Sequence, residues 1–281
     1  MMTLTTKTAH PKTRKLDSLT RLVNEALGRA LPSAQQPPAI IHEAMRYCVL
    51  SGGKRFRPLL AFGACEAAGA PARRALPVAC AVELIHSYSL VHDDLPAMDN
   101  ADERRGQPSC HRKYGESNAI LSGDALLTLA FELLSRNGIP NALAIIRTVG
   151  LASGTMGLIG GQVLDLQAIS RPHTATEQTL LGIAEQKTAA LITASVVAGA
   201  LAGGASASTV KRLGRYGRDI GLAFQLIDDV HDREGLANAM GADAARVRAQ
   251  RLIARAVSIL SPLGKRADTL RQLAGWLAST G

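Results

Sequence analysis

A chain of 281 residues, 47% of them hydrophobic, can bury the core of one large domain or two ordinary ones. A charged fraction of 20% excludes a disordered or tail-dominated chain, and 3% aromatics argues against sandwiches and barrels and for helix. The formal charge of +9 asks for an anionic partner. Nucleic-acid binders interleave such charge with stacking rings, which are scarce in this chain, so an acidic small molecule fits better.

Residues 1–15 are rich in Thr and Lys, with no acid before Asp17, and lack the apolar stretch of a secretory signal; they read as a loose basic leader. Pro37-Pro38 opens a segment whose apolar positions (Ile40, Ile41, Ala44, Met45, Cys48, Val49) follow a 3.6-residue period, and Gly52-Gly53 stops it. Further helices are predicted over about 58–69, 74–95, 117–136, 140–158, 175–202, 207–232, 241–260 and 264–279, separated by Gly- and Pro-bearing breaks. No hairpin signal or period-two alternation competes. The reading is all-α: a single domain over 1–281, a bundle of about ten helices around a deep apolar pocket. The apolar run from Ala189 to Ala205 is slightly short for a span and is interrupted by Thr193 and Ser195. A buried helix is expected there, without stable membrane insertion. Cys48, Cys65, Cys80 and Cys110 form no CxxC pair, so neither zinc nor a disulfide framework is suggested, and a reducing, cytoplasmic compartment is expected.

Two aspartate clusters carry the chemistry. The first, Asp93, Asp94 and Asp99, ends the predicted helix 74–95 and is followed by Asp102 and Arg104-Arg105-Gly106. Pro96 disfavours helix at Leu95, which lets Asp99 fold back toward Asp93. The second is Asp228, Asp229 and Asp232. Asp228 and Asp232, four apart, share one helix face, with Gln225 three residues earlier on that face. Like charges this close need a cation among them, and oxygen donors without His or Cys point to Mg²⁺ rather than zinc. Each cluster caps an apolar run, Ala79 to Val91 and Ile220 to Ile227, which describes a pocket with a polar mouth and a greasy interior. Lys54, Arg55 and Arg57 in Gly52–Pro58 put three cations on a turn, Arg104-Arg105 offers forks matched to phosphate, and Lys187 interrupts an otherwise uncharged stretch.

The motifs GGKRFRP (52–58), ELIHSYSLVHDDLPAMDNADERRGQPSCH (83–111), Lys187-Thr188 and FQLIDDVHD (224–232) resemble those of the trans-isoprenyl diphosphate synthases. The resemblance covers about residues 20–279 and is closest to the bacterial farnesyl/geranylgeranyl diphosphate synthase branch. It implies an isoprenoid-synthase bundle, usually a homodimer, that condenses isopentenyl diphosphate with an allylic diphosphate. Carried over, Asp93, Asp94, Asp99, Asp228, Asp229 and Asp232 would hold two or three Mg²⁺ around the allylic diphosphate, assisted by Arg104, Lys187, Thr188 and Gln225. Gly53, Lys54, Arg57, His86 and Arg105 would bind isopentenyl diphosphate. Tyr88 and Ser89, five and four residues before Asp93, would set chain length. The aromatic at 88, one turn below Asp93, would act as a floor and favour farnesyl diphosphate, with geranylgeranyl diphosphate the alternative.

One segment departs from that pattern. After its second aspartate motif the family carries a lysine-bearing loop. Here Asp232 is followed by Arg233-Glu234-Gly235 and soon by the next helix, about twenty residues are absent, and no lysine occurs between Lys211 and Lys265. Arg233 can replace the charge but not the reach of an ammonium. Three readings follow: an active elongating transferase, a non-catalytic or regulatory relative, and a terpene cyclase. The cyclase has no use for the second diphosphate site implied by Lys54, Arg57 and Arg105.

Overall fold

A computed structural model of the chain describes residues 13–136, 138–170 and 176–281. Of the expected leader, residues 1–12 lie outside the described residues, whereas Arg14 and Lys15 already belong to helix α1 (Arg14–Ala30). That helix went unassigned in the sequence, yet its signal is there. Thr13 caps it through its hydroxyl, and Leu16, Leu19, Val23, Ala26 and Leu27 fall on one buried stripe.

The bundle is built around three helices whose surfaces are apolar nearly all round: α3 (Phe56–Ala67), α4 (Leu76–Asp93) and α10 (Ala190–Ala202). Almost every side chain of α3 is buried, and Phe62, Leu60, Leu84, Ile85 and Leu191 are fully so. Each such side chain contributes roughly 1.5–3 kcal/mol of transfer free energy. Around this centre, α4 packs on α6 (Glu116–Ser135), α10 packs on α7 (Ala142–Ser153), and α11 (Ala207–Asp232) lies between α10 and α13 (Ala242–Ile259). Helices α2 (Ala39–Leu50) and α14 (Asp268–Ala278) complete the wall. Buried Asp219 of α11 takes both nitrogens of a fork from Arg255 of α13, at 2.7 and 2.5 Å, and Arg248 reaches Glu177 at 2.8 Å. Arg248 and Arg255 of α13 thus serve the fold.

Glycines let several of these axes approach. A Cβ on Gly199 would sit 2.2 Å from the Ala61 carbonyl oxygen, so α10 lies directly against the α3 backbone. A Cβ on Gly161 would sit 2.2 Å from the Lys187 backbone nitrogen. That contact belongs to α8 (Leu158–Ser170), a helix missing from the sequence reading because Gly154, Gly157, Gly160 and Gly161 look like breaks. The expected stretch 140–158 accordingly ends at Ser153, and the stretch 175–202 is divided. Within it, α9 (Glu177–Ile183) passes into a π-helical turn, Ala184–Ala189, before α10. Two short helices, α5 (Cys110–Tyr114) and α12 (Gly235–Met240), were also unexpected. Among the described residues there are therefore fourteen α-helical segments, several short or joined end to end, rather than about ten.

A hairpin also appears where none was expected. β1 (Glu103–Arg104) pairs with β2 (Gln107–Pro108), and both turn residues, Arg105 and Gly106, have positive φ (57° and 74°), as the tight hairpin twist demands. All four cysteines are free thiols, and Cys48 and Cys110, distant in sequence, line one pocket together. Four stretches, 72–93, 116–135, 142–170 and 177–202, are long and apolar enough to cross a membrane by length and composition. The first is mostly packed inside the bundle; 142–170 is the least covered, with Leu143 84% and Met156 77% exposed.

The close approaches give a direct test. Gly199→Ala should lower the free energy of unfolding in urea by about 1–3 kcal/mol by forcing α10 off α3. Gly182→Ala in α9, where a new Cβ meets nothing within 4 Å, should be neutral or stabilising.

Candidate active site

Helix α4 stops at Asp93, and the chain behind Pro96 folds back as its sequence predicts: the Asp99 amide donates to the Asp93 carbonyl at 2.8 Å and the Ala101 amide to the Asp94 carbonyl at 3.2 Å. This gathers the first cluster at one helix end. Asp93 is pushed from 3.8 up to about 6, chiefly by burial and further by Asp99 and Asp94, while Lys187 and Arg104 oppose the shift. Asp94 is different. Only 2% exposed, it accepts the Arg104 guanidinium on both oxygens, with Nε at 3.0 and 3.2 Å. The pairing in turn raises Arg104 above its ordinary value.

The second cluster, at the end of α11, repeats this division. Asp228 and Asp232 share a face, and Asp228 is raised by burial and by Asp232 against the pull of Lys54, His231 and Arg57. Asp229 turns inward. It accepts Gln225 Nε2 at 2.6 Å and the Leu236 amide at 2.8 Å, and a Cβ on Gly235 would stand 2.6 Å from its Oδ2. Asp229 therefore staples the shortened segment, whose α12 forms in place of a long loop. Gln225 is itself an acceptor, through Oε1 at 2.5 Å, for the hydroxyl of Thr188.

Lys187 lies in the π-helical turn, a distortion that re-aims side chains within a helix. Its ammonium donates to Asp165 Oδ2 of α8 at 2.5 Å, favours the ionised form of Asp93, and opposes the burial-driven rise of Glu234. Asp165 was not singled out in the sequence, because it stands alone in a stretch with no assigned helix. Asp99, Asp165, Lys187, Gln225, Asp229 and Glu234 line one cavity of about 670 Å³ whose apolar walls come from Ile169, Leu180, Ile183 and Leu236. One aspartate of each cluster, Asp99 and Asp229, thus borders the same space.

On the remaining side, Gly52 (φ 99°) and Gly53 (φ 123°) turn the chain. Gly53 is also where Arg105 packs: a Cβ there would stand 2.9 Å from the guanidinium carbon, and Arg105 Nη1 donates to the Gly52 carbonyl. Arg55 departs from the expected three-cation turn. It is buried, paired with Glu83 at 2.7 Å and donating to Asn24 and the Val49 carbonyl, so it holds the turn in place. Arg57 is buried with no partner for its Nε, and burial lowers it while Glu83 and Asp228 restore its charge. Burial and then Arg57, Arg105, Arg55 and Arg104 hold His86 well below the ordinary imidazole value, hence neutral. The structure therefore brings Gly53, Lys54, Arg57, His86 and Arg105 to one side of the clusters.

Tyr88 and Ser89 do not line the cavity. Tyr88 is buried with its ring edge-on to His92 at 5.7 Å and its hydroxyl without a partner, and burial and Asp93 push the phenol up to about 12. Ser89 donates to the His86 carbonyl at 2.9 Å.

Among the described residues no three His, Cys, Asp or Glu side chains already converge on one metal point. The donor chemistry nonetheless fits a hard divalent ion: Asp93 beside Asp99 and Asp228 beside Asp232 are like-charged, oxygen-only pairs that a cation would relieve. Asp94 and Asp229, also expected as ligands, here accept hydrogen bonds from Arg104, and from Gln225 and Leu236, respectively.

The model of the polyprenyl synthetase family matches residues 38–257. The chain is 46% identical over 233 residues to the heterodimeric geranylgeranyl pyrophosphate synthase large subunit 1, chloroplastic, of Arabidopsis thaliana; the match covers 80% of this chain and 62% of that one, less than two thirds of its length. It is 45% identical over 230 residues to the geranylgeranyl diphosphate synthase of Cyanophora paradoxa, covering 79% of this chain and 76% of that one. The crystal structure of a FPP/GFPP synthase from Zymomonas mobilis superposes with a TM-score of 0.88 at 39% identity, covering 92% of this chain and 96% of that one.

A raised carboxyl favours the protonated folded state, so without metal the protein should lose stability as pH rises from 3.8 to about 6. Carboxyl NMR of the metal-free protein should show a group titrating near 6 that vanishes in Asp93→Asn, and a divalent cation should pull it down. Its absence would mean that Asp93 is solvated and unpaired.

Proposed function

The chain belongs to the polyprenyl synthetase family, and on that premise we propose that it is a trans-prenyltransferase joining isopentenyl diphosphate to an allylic diphosphate. The observation that carries this reading is one cavity lined by an aspartate of each cluster, Asp99 and Asp229, and by Lys187, which also acts on Asp93. Two or three Mg²⁺ would be held by Asp93 and Asp99 on one side and Asp228 and Asp232 on the other. When bound, magnesium neutralises the charge that develops on the departing diphosphate.

The chain's own residues do the rest. Arg104, fixed on Asp94, and Lys187, fixed on Asp165, present cations to the allylic diphosphate, where preorganised charge is most effective. Lys54, Arg57 and Arg105 hold the second diphosphate, with neutral His86 free to share a hydrogen bond. The apolar walls exclude water from the allylic cation left when the C–O bond breaks. The homoallylic double bond then attacks, and the departing diphosphate takes the proton. Tyr88 packs against His92 outside that cavity, so farnesyl diphosphate as product rests on the sequence resemblance. The names of the Arabidopsis and Cyanophora relatives favour geranylgeranyl diphosphate as the second reading. The missing lysine loop supports the non-catalytic alternative. The four free thiols suit a reducing, cytoplasmic setting.

We also assign the exposed apolar face of α6–α8, including Leu121, Leu143, Leu151 and Met156, to contact with a second copy. Leu143→Glu should then shift the protein from dimer to monomer in light scattering.

With Mg²⁺, isopentenyl diphosphate and a C5 or C10 primer, the expected product is C15. Asp93→Ala and Asp228→Ala should each slow turnover by about a hundredfold or more. Failure to elongate C5, C10 or C15 primers would overturn the transferase reading and leave the non-catalytic one.

A further inference from the structure

The chain has only four Phe and one Trp, yet three of these rings meet at one place. Phe56 begins α3, Phe224 lies on α11 one turn before Asp228, and Trp276 comes from α14. Phe56 stacks on Phe224 with centroids 5.3 Å apart at 22°, and meets Trp276 at 5.6 Å and 42°. Above them the Lys54 ammonium lies 5.8 Å from the centroids of both Phe224 and Trp276. Phe56 is buried, the other two rings are half-buried, and Lys54 is exposed, so the rings form a shelf under the cation. Lys54 is also the strongest cationic influence on Asp228, which places the shelf at the rim of the second cluster. Trp276 lies beyond the matched residues 38–257.

We propose that Trp276 is a positioning residue: with Phe224 it holds the Lys54 ammonium at the rim, ready for a diphosphate. The inference rests on the function proposed above. A lysine on a flexible four-carbon stem samples many directions, and two ring faces restrict it. A ring face attracts the charge through its quadrupole without cancelling it as a carboxylate would, so the ammonium keeps its pull on phosphate oxygens.

The test uses the full chain and inorganic pyrophosphate without divalent cation, so that binding reads the cationic groups. Trp276 is the chain's one tryptophan, so its emission should change saturably as pyrophosphate binds, and Lys54→Gln should remove that change. By calorimetry, Trp276→Leu, which keeps apolar bulk but loses the ring, should weaken pyrophosphate about three- to tenfold, and Trp276→Phe should recover most of it. Wild-type affinity in Trp276→Leu, or unchanged emission at saturation, would overturn the role of Trp276 alone. No pyrophosphate binding by the wild-type chain without metal would overturn the role of the Lys54 shelf, and none with Mg²⁺ added would overturn the functional reading as well.

Discussion

Buried carboxylates repel one another, and the site is arranged around that cost. Two groups of three aspartates gather at the ends of two helices, one member of each lining a common cavity, and burial alone already pushes Asp93, Asp228 and Asp229 toward the neutral form. The fold answers by placing cations among them: Arg104 on Asp94, Lys187 facing Asp93, and Lys54 and Arg57 facing Asp228. These cations offset only part of the cost, and the like-charged pairs Asp93 with Asp99 and Asp228 with Asp232 are what a divalent ion would complete. In the proposed function, affinity for a metal-bound diphosphate would then be the other side of an electrostatic deficit in the empty protein.

Precise placement of those charges depends on how closely the backbones approach. Gly161 lets α8 lie on the π-helical turn, which puts Asp165 beside Lys187. Gly53 lets Arg105 lie on its turn, and the Arg55–Glu83 pair anchors the same turn from inside. Removing one partner of such a buried pair typically costs about 3–5 kcal/mol, so the turn is held by a strong constraint. The shortened segment after α11 is ordered by the same means. Asp229 accepts the Leu236 amide of α12, and Gly235 leaves room for its carboxylate.

The sequence by itself determined the helical class, both aspartate clusters, the fold-back behind Pro96, the basic turn and the family, because each is written in local spacing and residue type. It also contained α1, whose cap and stripe are plain in residues 13–27. Only the tertiary structure decided which acids stand free. Asp94 and Asp99 look alike in sequence, yet one is bound by an arginine ten residues on and the other borders the cavity. The same holds for Arg55 and Arg57, and for glycines that read as helix breaks but serve as contact points between helices. Asp165 and Trp276 gain their partners from residues 22 and 222 positions away, Lys187 and Lys54. The reason is physical: spacing fixes which face a side chain shares with its neighbours, whereas charge and burial depend on what the rest of the chain brings against that face.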